Sequence, residues 1–176
     1  MIDKSNIEVL ISEEELNKRI REMGEEISRD YQGKELHLIC LLKGGVYFMV
    51  ELSKRITVPV TMDFMDVSSY GNATVSSGSV KIKKDLEEDI AGKNVLVVED
   101  IIDSGRTLSY LFPIFQARRP ASLELCTMLD KPACRVVDNV TVKYRGFEIP
   151  DKFVVGFGLD YKQQFRNLPY IGAVKE

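Results

Sequence analysis

Alternating strand-like and helix-like segments predict an α/β fold, with a mainly parallel sheet flanked by helices. Three observations carry this. Residues 36–42 and Val95–Val98 are almost wholly aliphatic, as in strands buried on both faces. Leu16, Ile20, Met23, Ile27 and Tyr31 recur at helical spacing, one apolar stripe on an amphipathic helix. Each aliphatic run then leads into a glycine-bearing polar loop, at the end where a parallel sheet presents its ligands.

A chain of 176 residues suits one domain with a sizeable core. With 44% hydrophobic and 29% charged residues it reads as soluble and globular, neither disordered nor membrane-embedded. A net charge of −3 offers no basic field, so no nucleic-acid partner is expected and any anion site is local. The three cysteines have no C-x-x-C spacing, which points to a reducing compartment rather than a disulfide or thiolate–metal framework. The first residues lack a signal-peptide core and no apolar run is long enough for a membrane span, so a cytoplasmic location is expected. The only histidine, His37, lies in an apolar strand and is read as a satisfied core residue. Serine–histidine triads and histidine zinc sites are thereby set aside, and acid–base work falls to carboxylates, lysines or tyrosines.

In chain order, Ser12 to Glu15 has the form of a capping box and opens the amphipathic helix, which ends at Gly33. The first buried strand, 36–42, leads to Lys43-Gly44-Gly45, which suits either an anion loop or an ordinary turn. A helix over 46–56 and a strand over 58–67 follow, then a small polar stretch, 68–79, and a strand over 80–83. The central strand runs into Glu99 and Asp100, and then Asp103-Ser104-Gly105-Arg106-Thr107 opens a helix over about 105–118. A strand, a tight loop and a helix N-terminus make an anion site, with hydroxyl donors on Ser104 and Thr107. There is neither a P-loop lysine motif nor a G-x-G-x-x-G, so Glu99 and Asp100 must meet something besides phosphate: sugar hydroxyls or a metal-bound ligand. A further strand, 122–129, closes at Asp130-Lys131-Pro132.

A hydrophobic strand, two acids and D-[ST]-G-x-T resemble the phosphoribosyl diphosphate signature of type I phosphoribosyltransferases, and 99–105 is similar to their hypoxanthine–guanine branch. Leu-Lys-Gly-Gly at 42–45, Ser69-Tyr70, Lys131 and the segment 146–161 continue the resemblance from about residue 10 onward. It implies a single domain over 1–176, with a Rossmann-like core over about 33–135. A small hood is implied from N-terminal residues and about 136–176. The implied reaction moves 5-phosphoribosyl from its diphosphate to N9 of hypoxanthine or guanine, with magnesium as cofactor and a homodimer or homotetramer as the assembly. By the same resemblance Ser104, Gly105, Arg106 and Thr107 grip the 5′-phosphate, although the side-chain role of Arg106 is open. Glu99 and Asp100 hold the ribose hydroxyls and, with Asp160, the metal. Lys43, Gly44 and Arg166 handle pyrophosphate, with a cis peptide expected at Leu42–Lys43. Asp103 exchanges a proton with purine N7, Lys131 reads the 6-oxo group, Phe153 stacks on the base, and Val154 pairs with its edge. Ser69 and Tyr70 lie on a closing lid. A xanthine-preferring enzyme and a non-catalytic RNA-binding regulator of the same fold stand as alternatives. The charge and an intact Asp103 count against the regulator.

Overall fold

In the computed structural model, which describes residues 4–69 and 80–175, the two aliphatic runs lie side by side at the centre of a sheet. In chain order the strands are β1 (Ile7–Ile11), β2 (Leu36–Leu42), β3 (Val60–Ser69), β4 (Val80–Lys84), β5 (Asn94–Ile102), β6 (Ser122–Asp130), β7 (Tyr144–Glu148), β8 (Val154–Val155) and β9 (Ile171–Val174). The helices are α1 (Glu13–Asp30), α2 (Gly45–Ser53) and α3 (Arg106–Ala117). The main sheet has the order β4-β3-β2-β5-β6-β7. Its strands are parallel except β4, which runs antiparallel at one edge. From β2 the chain crosses through α2 to β3 on one side, whereas from β5 it crosses through α3 to β6 on the other. The direction of winding therefore reverses between β2 and β5, and ligands of open α/β sheets bind in the crevice at the strand ends there.

Period-2 alternation divides the buried residues between two layers. Leu38, Cys40, Leu96 and Val98 face α1 and α2, packing with Leu16, Ile20, Met23, Phe48 and Leu52. Ile39, Leu41, Val95 and Val97 face the opposite way, onto Leu108, Leu111 and Phe115 of α3. Both faces are covered, which is why the strands read as continuous aliphatic runs rather than as alternating ones. The capping box is present: Glu15 N–H donates to Ser12 Oγ (3.2 Å) and Ser12 N–H to Glu15 Oε2 (2.8 Å). Among the described residues no helix is long and apolar enough to cross a membrane.

The expected core boundary at residue 135 moves. β7 pairs with β6 as the last strand of the main sheet, so the core reaches Glu148. It also takes in α1, whose Arg19 donates to the carbonyls of Arg145 (2.6 Å) and Gly146 (3.2 Å) and so covers this sheet edge. The hood is a separate antiparallel sheet of order β1-β9-β8, built from both chain ends. His37 is buried, as expected, but only half satisfied: Nδ1 meets Thr61 Oγ1 at 2.7 Å, while Nε2 has no hydrogen-bond partner among the described residues.

Candidate active site

Pairing between β2 and β5 ends at Cys40 opposite Val98, whereas β5 stays paired with β6 as far as Ile102. Glu99 and Asp100 thus lie within the strand rather than beyond it, where one of its edges has just opened. Each side chain folds back onto the next backbone amide: Glu99 Oε1 accepts from Asp100 N–H (3.1 Å), and Asp100 Oδ1 from Ile101 N–H (2.6 Å). Desolvation and then the neighbouring Asp100 charge hold the Glu99 carboxyl well above the usual range. Desolvation also raises Asp100, opposed by its hydrogen bonds and by the charge of Arg166. Two like charges this close raise each other's affinity for a proton.

The loop after β2 presses against this pair. A Cβ on Gly44 would come within 1.5 Å of Asp100 Oδ2, so the acid rests on bare backbone. On its other side Gly158, with φ of +101°, approaches so closely that its own Cβ would reach 2.0 Å from Gly44 O. The Leu42–Lys43 peptide is cis, as expected. Arg166 extends the stack, donating to Gly158 O (2.6 Å) and Gln163 Oε1 (3.1 Å) and pairing with Asp160 at 2.9 Å. Gln163 Oε1 also receives Lys43 Nζ at 3.5 Å. Lys43 and Gly44 are thereby drawn together with Asp100 and with Arg166, which follows them by more than 120 positions in sequence.

On the other side of the crevice the unbroken run Glu99 to Leu108 lines a concavity of about 180 Å³. Gly105, at φ +81°, turns the chain into α3 and leaves Arg106 as the first helical residue. Asp103 is exposed, and its Oδ2 lies 3.9 Å from Lys131 Nζ. Lys131 is 6% exposed, not solvated, and its second carboxylate is Asp151 Oδ1 at 3.4 Å. Hydrogen bonding from the Cys134 thiol and from Lys131 holds Asp151 below its ordinary value. The Cys134 thiol itself is pushed up to about 11 by desolvation and by Asp151 and Asp103, so it stays protonated.

Phe153 is 53% exposed, and its ring meets Tyr161 edge-on at 5.9 Å between centroids. Val154 is buried on the outermost strand of the hood sheet. Val174 N–H donates to Phe153 O (2.9 Å), and the alternation of an antiparallel ladder then turns the N–H and C=O of Val154 toward the free edge. Ser69 is the last residue of β3, while Tyr70 and the rest of the expected lid lie outside the described residues.

The expected three-carboxylate metal site is not assembled. Among the described residues no three His, Cys, Asp or Glu side chains gather. The oxygens of Asp160 are engaged, one by Arg166 and the other by the Gln163 N–H at 2.7 Å. Glu99 and Asp100 remain as protein donors. Their shared excess of negative charge suits a hard divalent cation, and magnesium is commonly held by one or two carboxylates together with substrate phosphates and water.

Three participants had no motif to announce them: Asp151 beside Lys131, Gln163 between Lys43 and Arg166, and Arg135, whose Nε donates to Asp103 O at 3.3 Å. Asp130, an acid directly after the apolar pair Met128-Leu129 at the end of β6, is the one local signal; it is 1% exposed and pairs with Arg135 and Arg145.

Residues 11–162 match the model of the phosphoribosyl transferase domain. The chain is 53% identical to the hypoxanthine-guanine phosphoribosyltransferase of Bacillus subtilis, over 98% of this chain and 96% of that protein. It is 55% identical to the bifunctional protein TilS/HprT of Listeria monocytogenes over 95% of this chain, but spans only about a quarter (26%) of that longer protein. A crystal structure of a hypoxanthine phosphoribosyltransferase from Staphylococcus aureus superposes with a TM-score of 0.93 at 48% identity, covering 97% of this chain and 93% of that one.

Proposed function

Since this chain belongs to the phosphoribosyl transferase family, we propose that it moves the 5-phosphoribosyl group of 5-phosphoribosyl 1-diphosphate to N9 of hypoxanthine or guanine, releasing pyrophosphate. One observation carries the choice of acceptor: the carboxylate of Asp103 beside the buried ammonium of Lys131, 3.9 Å apart, on an anion-gripping loop. A 6-oxopurine presents N7 and O6 as neighbours on one edge. An acceptor for the N7 proton next to a donor for O6 matches that edge, whereas a 6-amino group would face the ammonium with donors.

In this reading the 104–107 backbone and hydroxyls grip the 5′-phosphate, and Glu99 and Asp100 face the ribose hydroxyls. Lys43, the bare backbone at Gly44, and Arg166 receive the pyrophosphate. Phe153 offers its exposed ring to the base, and Val154 offers free backbone groups to the purine edge. Asp103 takes the proton from N7 as general base. Magnesium, held by Glu99 and Asp100 through the substrate, supplies charge neutralisation for the leaving pyrophosphate. A homodimer or homotetramer in the cytoplasm completes the proposal; exposed Tyr47 and Val50, one turn apart on α2, support self-association.

Steady-state assays with phosphoribosyl diphosphate, magnesium and each of hypoxanthine, guanine, xanthine and adenine test the reading. Turnover of the first two with release of pyrophosphate is expected, and adenine is expected to be rejected. No turnover of any 6-oxopurine would overturn it.

A further inference from the structure

We propose that Arg135 is a positioning residue that sets the anion-gripping loop from beneath; this rests on the transfer reaction proposed above. Arg135 does not line the concavity formed by residues 99–108. It lies behind the loop, where a Cβ on Gly105 would come within 2.8 Å of Arg135 Cδ. Its guanidinium is divided between two elements. Nε donates to the carbonyl of Asp103 (3.3 Å), and Nη2 pairs with Asp130 Oδ1 at the end of β6. Asp130 is buried at the end of β6, and Arg145 of β7 faces its other oxygen, with Nε 2.8 Å from Oδ2. The anchor for the loop is therefore a desolvated carboxylate fixed in the sheet itself.

The next residue adds a second tether, since Val136 N–H donates to Ser104 O at 3.1 Å. Two successive loop carbonyls, those of Asp103 and Ser104, are thus drawn toward residues 135–136. Both peptides are trans, and in a planar trans peptide the N–H points opposite to the C=O. Fixing these carbonyls underneath turns the N–H groups of Ser104 and Gly105 to the opposite side, where an anion would sit. A run of N–H groups aimed at one point is what makes a phosphate cradle, and the carbonyl tether keeps them aimed before the ligand arrives. A planar fork reaching two acceptors at once is a task for arginine rather than lysine.

The test compares wild type, Arg135→Lys and Arg145→Met in separate titrations of phosphoribosyl diphosphate and hypoxanthine, with Tm measured for each. Lysine keeps a charge facing Asp130 but lacks the fork. For Arg135→Lys the KM for phosphoribosyl diphosphate is expected to rise roughly tenfold, about one lost hydrogen bond's worth, with the KM for hypoxanthine within about twofold. Arg145→Met removes the other ion pair of Asp130 without touching the loop, so its KM values are expected to stay within about twofold of wild type even if its Tm falls. If Arg135→Lys does not fold, Arg135→Gln takes its place under the same thresholds. An unchanged KM for phosphoribosyl diphosphate in the Arg135 variant, or an equal rise in Arg145→Met, overturns the assignment. An inactive wild type would instead fail the functional reading from which it starts.

Discussion

Asp103 has a backbone duty and a side-chain duty, and a single substitution separates them. Its carbonyl is tied to Arg135, while its carboxylate is exposed beside Lys131. Asparagine keeps the shape and leaves the carbonyl tether untouched, so the fold and the grip on phosphate should survive in Asp103→Asn. What disappears is the ability to take a proton, and losing a general base typically lowers the rate by about 10² to 10⁴. The expected result is a kcat reduced by that order, with Tm and the KM for phosphoribosyl diphosphate nearly unchanged. An Asn variant with most of its kcat would show that the N7 proton leaves by another route. Asp103 was legible because the acid, the hydroxyls and the glycine are contiguous, so their chemistry could be read in one short stretch. Asp151 and Gln163 were not, because nothing near them in sequence distinguishes them from surface polar residues. Their roles come from tertiary contact with Lys131, Lys43 and Arg166.

At the level of elements the candidate site sets the loop after β2 between the end of β5 and the segment around Gly158, fitted closely by missing side chains. Gly44 separates Asp100 from Gly158, and a methyl group there would overlap Asp100 Oδ2 at 1.5 Å. Either the carboxylate or the 42–45 loop must move in Gly44→Ala. Overpacking of this kind costs about 1–3 kcal/mol, and a displacement of about 1 Å at a reacting group can cost about 10² in rate. Gly44→Ala is therefore expected to lose at least about tenfold in kcat/KM for phosphoribosyl diphosphate, with a drop in Tm of several degrees. Kinetics equal to wild type would mean that the loop is not part of the site. Periodicity announced α1, with its cap and apolar stripe, and both buried strands. It missed that β5 continues through Glu99 and Asp100, because charged residues look like a strand end when only one chain is in view. The partner strand β6 pairs with β5 up to Ile102 and keeps it extended.

Taken whole, the molecule joins a mainly parallel six-stranded sheet to a small three-stranded antiparallel hood. The α/β core was legible from aliphatic runs and helical spacing, whereas the hood was legible only by resemblance. β8 has two residues and β1 pairs with β9 from the far end of the chain, so no local pattern could expose that sheet.

Because the substrate would touch both parts, its binding should be visible as global stability, and the acidic pair fixes how that gain depends on metal and pH. Glu99 and Asp100 have raised values when folded. Their protonated forms therefore favour the folded state, and this contribution is complete below the ordinary carboxylate range and lost as pH rises through the raised values. A divalent cation competes with the retained proton for the same oxygens, so its benefit grows as pH rises. A ligand at about 100 times its Kd adds about 2.7 kcal/mol, which for a chain of this size is roughly 5–10 °C in Tm. Phosphoribosyl diphosphate with magnesium is expected to raise Tm by that amount near pH 8 and by less near pH 5.5. With EDTA present, the same concentration should give little shift at either pH. Thermal denaturation followed in a four-way comparison of pH and chelator decides the matter. A full shift in EDTA would remove the metal from this site, and a larger shift at the acid pH would mean that Glu99 and Asp100 are not the groups that receive it.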